Sequence, residues 1–183
     1  MAGEAVGNWR RKTRRSVYDN PWITVYHDEV IHPGGGDGIY GTVHFKNLAL
    51  GIIPLDDEDH TWLVGQHRYP QDRYSWEIPE GGGALDVDPL TSARRELREE
   101  VGLGAHHWEL ILQLDLSNSV SDEVALIYLA TGLYPLAAAP DETEDLKLWR
   151  LPFDEAVRMA LAGEITDAMS VAGLMKARLL RCR

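Results

Sequence analysis

Residues 77–103 read Glu77-Ile-Pro-Glu80-Gly-Gly-Gly-Ala-Leu-Asp-Val-Asp-Pro-Leu90-Thr-Ser-Ala-Arg-Arg-Glu96-Leu-Arg-Glu-Glu100-Val-Gly-Leu103. A short strand from Tyr74 ends at Pro79, three glycines follow, and an irregular loop runs to Asp88. A helix then begins: Asp88 suits its cap, Pro89 its first turn and Gly102 a left-handed stop. At ~100° per residue, Leu90, Ala93, Leu97 and Val101 form one apolar stripe that packs on a sheet. Glu96, Glu99 and Glu100 stand at i, i+3 and i+4 on another face. Like charges at that spacing destabilise a helix by a few tenths of a kcal/mol per pair, and Arg95, four residues before Glu99, offsets only part of this.

Two readings fit the cluster. One is a solvated Glu/Arg helix face, which is common. The other is a divalent cation held between the carboxylates, since Mg²⁺ and Mn²⁺ prefer hard oxygen ligands and keep positions open for phosphate and water. Glu80 and nearby backbone carbonyls are candidate further ligands from the loop side. The three glycines let the backbone approach a phosphate closely.

Outward from this stretch, the pattern before it is strands. Trp22–Tyr26 and the alternating Ile39, Gly41, Val43 and Phe45 flank the turn Pro33-Gly-Gly-Gly-Asp-Gly38 as a hairpin. Leu48–Leu55 and Thr61–Gln66 are two more strands, joined by an acidic tip, Asp56–His60. After the helix come strands at 108–114, 123–131 and 146–151. Two helices end the chain, one opened by Pro152 and one with Thr166 as candidate cap. Arg10, Arg11, Lys12, Arg14 and Arg15 read as a solvated, partly mobile N-terminal arm. Many strands, one central helix and two C-terminal helices make an α+β domain.

Composition narrows function. The chain has 183 residues, 44% of them apolar and 26% charged, with a formal net charge of −11. A uniformly acidic protein repels nucleic-acid backbone and anionic lipid, so any phosphate-bearing ligand needs a few arginines or a bound cation. No apolar run reaches the ~18 residues of a membrane span, and no apolar signal core is seen at the N-terminus. The one cysteine, Cys182, forms neither an internal disulfide nor a cysteine-cluster zinc site. The expectation is a cytoplasmic protein.

The segment Gly81–Leu103 resembles the Nudix box, G-x5-E-x7-R-E-U-x-E-E-x-G-U with U a bulky aliphatic. Gly81, Arg95, Glu96, Leu97, Glu99, Glu100, Gly102 and Leu103 fall in register, and the first glutamate of the pattern falls on Val87. In the family that carboxylate supports the loop, often through the box arginine. Asp86 and Asp88 are its candidate substitutes here. The flanks resemble the ADP-ribose and nucleoside diphosphate sugar pyrophosphatases: Gln66–Pro70 before the box, Trp76-Glu-Ile-Pro79 leading into it, and Ser121-Asp-Glu123 after it. Where members acting on ADP-ribose carry a Ser-Pro-Gly-like stretch, this chain has Ser117-Asn118-Ser119, which suggests a different or broader sugar.

The resemblance implies an α/β/α sandwich with a mixed sheet, divided into residues 1–47, an N-terminal arm and strands that form a homodimer, and 48–183, the Nudix domain. It implies Mg²⁺, with Mn²⁺ an alternative, on Glu80, Glu96, Glu99 and Glu100. Glu123 is the candidate general base, with Glu99 an alternative and Arg95 supporting. Arg68, Glu77 and Gly81 are the candidate substrate contacts, and Trp22, Tyr26 and Trp76 candidate stacking partners for a base. The expected reaction is hydrolysis of a nucleoside diphosphate sugar to nucleoside monophosphate and sugar phosphate. A Nudix hydrolase of another nucleotide, and a non-catalytic nucleotide-sugar binder, are the alternatives.

Overall fold

The computed structural model describes residues 3–137 and 146–182. Within it the chain forms two compact units. One comprises Met1–Asn47 with Asp115–Glu123, the other Leu48–Leu114 with Val124–Arg183. A contiguous division at 47/48 therefore leaves out the segment Asp115–Glu123, which returns to the first unit.

The first unit carries an antiparallel sheet of β1 (Glu4–Val6), β2 (Trp9–Asp19), β3 (Ile23–Ile31) and β4 (Asp37–Phe45), in that order. The basic stretch expected to be a mobile arm is thus a strand. Its side chains are almost all exposed, and two register shifts against β3 break the period-2 pattern, so no alternation marks it in the sequence. The main-chain ladder and ion pairs hold it instead. Arg14 grips Asp28 with two bonds, Nε to Oδ1 at 2.8 Å and Nη2 to Oδ2 at 2.7 Å, and lies over the Tyr26 ring at 4.5 Å. Asp28 is 4% exposed, and the Arg14 bond holds its carboxyl below the ordinary range against the opposing effect of burial.

The second unit holds two sheets. In the mixed sheet the order is β8 (Glu80–Ala84), β5 (Asn47–Leu55), β10 (Val124–Pro135) and β9 (Leu103–Asp115), with β5 and β10 parallel, Leu50 opposite Leu126. A parallel pair covered on both faces is apolar without alternation, as in the buried run Leu50–Leu55. The other sheet is antiparallel, in the order β11 (Lys147–Pro152), β6 (His60–Arg68), β7 (Arg73–Glu77). Three helices complete an α+β fold: α1 (Pro89–Glu96), α2 (Phe153–Leu161) and α3 (Ala168–Arg181).

The stripe on α1 does what its spacing predicts. Ala93 and Leu97 are buried against Leu50, Ile52, Tyr128 and Ala130, with Leu90 and Val101 at the edge of the same cluster. Asp88 caps the helix, accepting from the Thr91 N–H at 2.9 Å, and Gly102 ends it at φ 71°. Three local expectations are corrected. The glycines 81–83 lie in strand β8, not in a loop, because side-chain-free residues carry no strand signal. The α-helix stops at Glu96 and continues as a π-helical turn over Leu97–Val101. The cap of α3 is Asp167, which accepts from the Ser170 N–H at 2.7 Å, while Thr166 bonds Arg73. Among the described residues no helix is long and apolar enough to cross a membrane.

Candidate active site

The box carboxylates sit where α1 meets β8. The strand approaches closely because Gly81 lacks a side chain: a Cβ there would lie 2.2 Å from the Glu96 carboxylate carbon. Arg95 ties the cluster, donating to Glu96 Oε1 at 2.6 Å, to Glu99 Oε2 at 2.6 Å and to the Gly82 carbonyl at 2.8 Å. Glu100 Oε2 accepts the Glu80 backbone N–H at 2.9 Å. Glu96 and Glu100 are buried and Glu99 is half-buried. The π turn, a feature that recurs at functional sites, changes the angle of Glu99 and Glu100 relative to Glu96 from that of a regular α-helix. Burial disfavours charge on Arg95, yet Glu96 and Glu99 raise its pKa above the ordinary value.

At Val87, where the box pattern has a glutamate, the side chain is 40% exposed. Asp88 does not take over its link to the arginine, because its carboxylate is bonded to the Thr91 N–H and hydroxyl, both at 2.9 Å. The loop is held from the other direction, by Arg95 on the Gly82 carbonyl.

Glu80 gives its backbone N–H to Glu100, while its side chain enters a second acidic group. There Arg68 donates to Glu77 Oε2 from Nε at 2.9 Å and from Nη2 at 2.5 Å, and to Glu80 Oε1 at 2.5 Å. Asp167 joins them: Glu77, Glu80 and Asp167 each offer a carboxylate oxygen within 4.8 Å of the others. Burial, then the charges of Asp167 and Glu77, push the Glu80 carboxyl well above its ordinary range, with Arg68 opposing. Its Oε2 is buried without a hydrogen-bond partner among the described residues. Three carboxylates against one guanidinium leave excess negative charge.

Asp167 is the member that no sequence pattern reveals. It lies 87 residues beyond Glu80 in no ligand-like spacing. Only the helix α3 brings it in, anchored by the Ser170 hydroxyl, which accepts the Ile78 N–H at 2.9 Å.

Glu123 lies in the segment of the first unit that precedes β10. It is half-buried, and burial raises its carboxyl above the ordinary range. Of the candidate stacking residues, Trp22 is 65% exposed, Tyr26 lies beneath Arg14, and Trp76 packs edge-on between Tyr74 and Trp149.

Both groups offer the hard carboxylate oxygens that a divalent cation takes: Glu96, Glu99 and Glu100 around Arg95, and Glu77, Glu80 and Asp167 around Arg68, the latter with an orphaned buried oxygen on Glu80. Residues 46–170 match the Nudix domain, and residues 9–43 match the nucleoside diphosphate sugar hydrolase N-terminal domain. The chain is 40% identical over 154 residues to the ADP-ribose pyrophosphatase of Mycobacterium tuberculosis, covering 81% of this chain and 72% of that protein. It is 30% identical over 132 residues to the ADP compounds hydrolase NudE of Escherichia coli, covering 71% and 69%. A crystal structure of an ADP compounds hydrolase superposes with a TM-score of 0.85 at 23% identity, over 97% of this chain and 96% of that one, and so shares the fold. The chain belongs to the Nudix family.

Proposed function

We propose that this chain is a Nudix pyrophosphohydrolase that splits the diphosphate of nucleoside diphosphate sugars into a nucleoside monophosphate and a sugar phosphate. The observation that carries the choice of substrate is the match of residues 9–43 to the nucleoside diphosphate sugar hydrolase N-terminal domain, joined to a Nudix domain in the same chain.

Glu96, Glu99 and Glu100 are the residues that would hold Mg²⁺, with the Glu80 backbone beside them and its side chain turned to Arg68. When bound, the cation neutralises the diphosphate and polarises the phosphorus under attack. Arg95 keeps Glu96 and Glu99 in place against their mutual repulsion. Glu100 fixes the Glu80 backbone, and Gly81 leaves the space that Glu96 occupies. Arg68, oriented by Glu77, supplies a planar cation suited to a phosphate. Glu123 is the general base. It takes a proton from the attacking water, the water oxygen joins one phosphorus, and the P–O–P bond breaks to leave the second phosphate on the sugar. The exposed Val17, Trp22 and Ile39 support pairing of two copies through the first unit. The cytoplasmic location rests on composition.

The test incubates the pure protein with Mg²⁺ and each of ADP-ribose, GDP-mannose, ADP-glucose and UDP-glucose, and resolves the products. Nucleoside monophosphate and sugar phosphate are expected from at least one. Glu100→Gln should abolish that turnover with the melting curve retained. Full turnover in this variant, or no sugar phosphate from any of the four, rejects the reading.

A further inference from the structure

The loop Ser117–Glu123 joins β9 to β10, and the way it is held goes beyond what a connection requires. It lies along β4 as a short added strand. Val43 and Ser121 form a parallel bridge. The Val43 N–H donates to the Val120 carbonyl at 2.8 Å, and the Asp122 N–H to the Val43 carbonyl at 3.3 Å. The Tyr40 hydroxyl donates to the Ser119 carbonyl at 2.7 Å. Within the loop, the N–H groups of Val120 and Ser121 both reach the Ser117 carbonyl, at 3.0 and 2.8 Å.

The last grip is a side chain. Asp122 Oδ1 accepts the Phe45 N–H at 2.9 Å, and its Oδ2 meets His44 Nδ1 at 2.6 Å. Two consecutive residues of β4 thus hold one carboxylate, which is itself 58% exposed. Burial is therefore not what its position serves. An open cleft of about 360 Å³ is lined by the loop residues Asn118–Asp122 together with Arg14, Tyr26 and Thr42. Packing does not fill the space beside the loop, so hydrogen bonds must set its position.

Glu123 is the next residue along the chain. The Glu123 carbonyl accepts the Leu116 N–H at 3.1 Å, and Val124 enters β10. The Glu123 backbone is therefore held within the first unit by Leu116 and, through the preceding residue, by the grip on Asp122. A base must be held within ~0.5 Å of its working place, and misplacement by ~1 Å can cost ~10² in rate.

We propose that Asp122, gripped by His44 and the Phe45 N–H, is a positioning residue that sets where Glu123 presents its carboxylate. The proposal rests on the reading of Glu123 as general base. Asp122 touches no reacting atom and acts only through its neighbour.

The experiment is a double-mutant cycle on the full-length protein, with kcat and KM for Mg²⁺-dependent hydrolysis of ADP-ribose. Glu123→Gln should lower kcat by ~10² or more. Asp122→Ala should lower kcat by ~10- to 100-fold with KM little changed. Asp122→Asn, whose amide oxygen still accepts the Phe45 N–H, should recover most of that loss. The double variant Asp122→Ala with Glu123→Gln should be no slower than Glu123→Gln alone, because a positioning residue has nothing left to position.

If the two losses multiply instead, or if Asp122→Ala turns over like the wild type, the proposal falls and Glu123 stands as base. If Glu123→Gln itself turns over like the wild type, the base reading falls and takes the proposal with it. Should Asp122→Ala not fold, His44→Ala removes one of the two grips, and the same cycle is run with it.

Discussion

Replacing Gly81 with alanine tests the geometry on which the box depends. The added methyl would lie 2.2 Å from Glu96 Cδ and 2.3 and 2.5 Å from its two oxygens. Non-bonded carbon contacts run at about 3.5–4.0 Å, so one side must retreat by roughly 1 Å or more. Gly81 is backbone in a paired strand. Glu96 is the end of a side chain, bonded to Arg95 at 2.6 Å. The carboxylate therefore moves and the strand stays. Overpacking of this kind costs about 1–3 kcal/mol, at the low end here because a flexible terminus absorbs it. For a 150–250-residue protein each kcal/mol is ~2–4 °C in Tm. A ligand oxygen displaced by ~1 Å is expected to cost ~10² in kcat/KM and to raise the Mg²⁺ concentration needed for half-maximal rate. Gly83→Ala is the control, since its methyl meets Leu50 at 2.8 Å and Ser92 at 3.2 Å. That variant should lose stability without a shift in Mg²⁺ dependence. The assay is kcat/KM against Mg²⁺ for wild type and both variants, with melting curves alongside. A Gly81→Ala enzyme within about threefold of wild type at every Mg²⁺ concentration would refute the reasoning, because the Glu96 carboxylate would then be free to move without consequence.

The acid side of the rate profile should reflect Glu123, which must be ionised to act and whose pKa burial raises. Activity should fall as pH drops through a value above the ordinary carboxylate range, and a Glu123→Gln variant that keeps this limb would assign it elsewhere. The raised pKa also means that the cost of ionising Glu123 builds up as pH rises from its unfolded pKa to its folded one and is complete above the latter, so Glu123→Gln should melt higher than wild type at pH 8 and match it in acid; the opposite order would contradict the burial argument. Asp167→Ala removes the α3 cap and should cost about 0.5–2 kcal/mol, or ~1–8 °C, whereas Asp167→Asn keeps the cap and should hold its Tm. Equal melting of the two would show that the cap carries no weight. Arg14→Ala leaves the buried Asp28 without its fork, at a cost of about 1–3 kcal/mol at neutral pH. Asp28 has a lowered folded pKa, so this contribution is present above its unfolded pKa and is lost as pH falls. Melting differences that do not shrink toward pH 3 would tell against the pair.

The chemistry on α1 was legible because it is local. A cap, a proline, a stripe and a left-handed glycine lie within fifteen residues, and helical periodicity places Glu96, Glu99 and Glu100 together whatever the rest of the chain does. The parallel core pair was legible as apolar runs for the same reason. Strand β2 was not, since exposed charged residues with two register shifts carry no period, and strand β8 was not, since glycines show no alternation. Nor does the sequence reveal that the last turn of the box helix is π-helical, because hydrogen bonding i to i+5 in place of i+4 leaves no mark in residue type.

The amino-acid order by itself thus settles the family and the box, through short-range periodicity and spacing. What only tertiary structure decides is which charges meet. The placing of β8 beside α1 gives the Glu80 side chain to Arg68 and its N–H to Glu100. A helix cap 87 residues away brings in Asp167. A loop laid on β4 gives Asp122 to His44 and Phe45. These contacts join residues distant along the chain, and their electrostatic effect depends on separations and burial that packing alone sets.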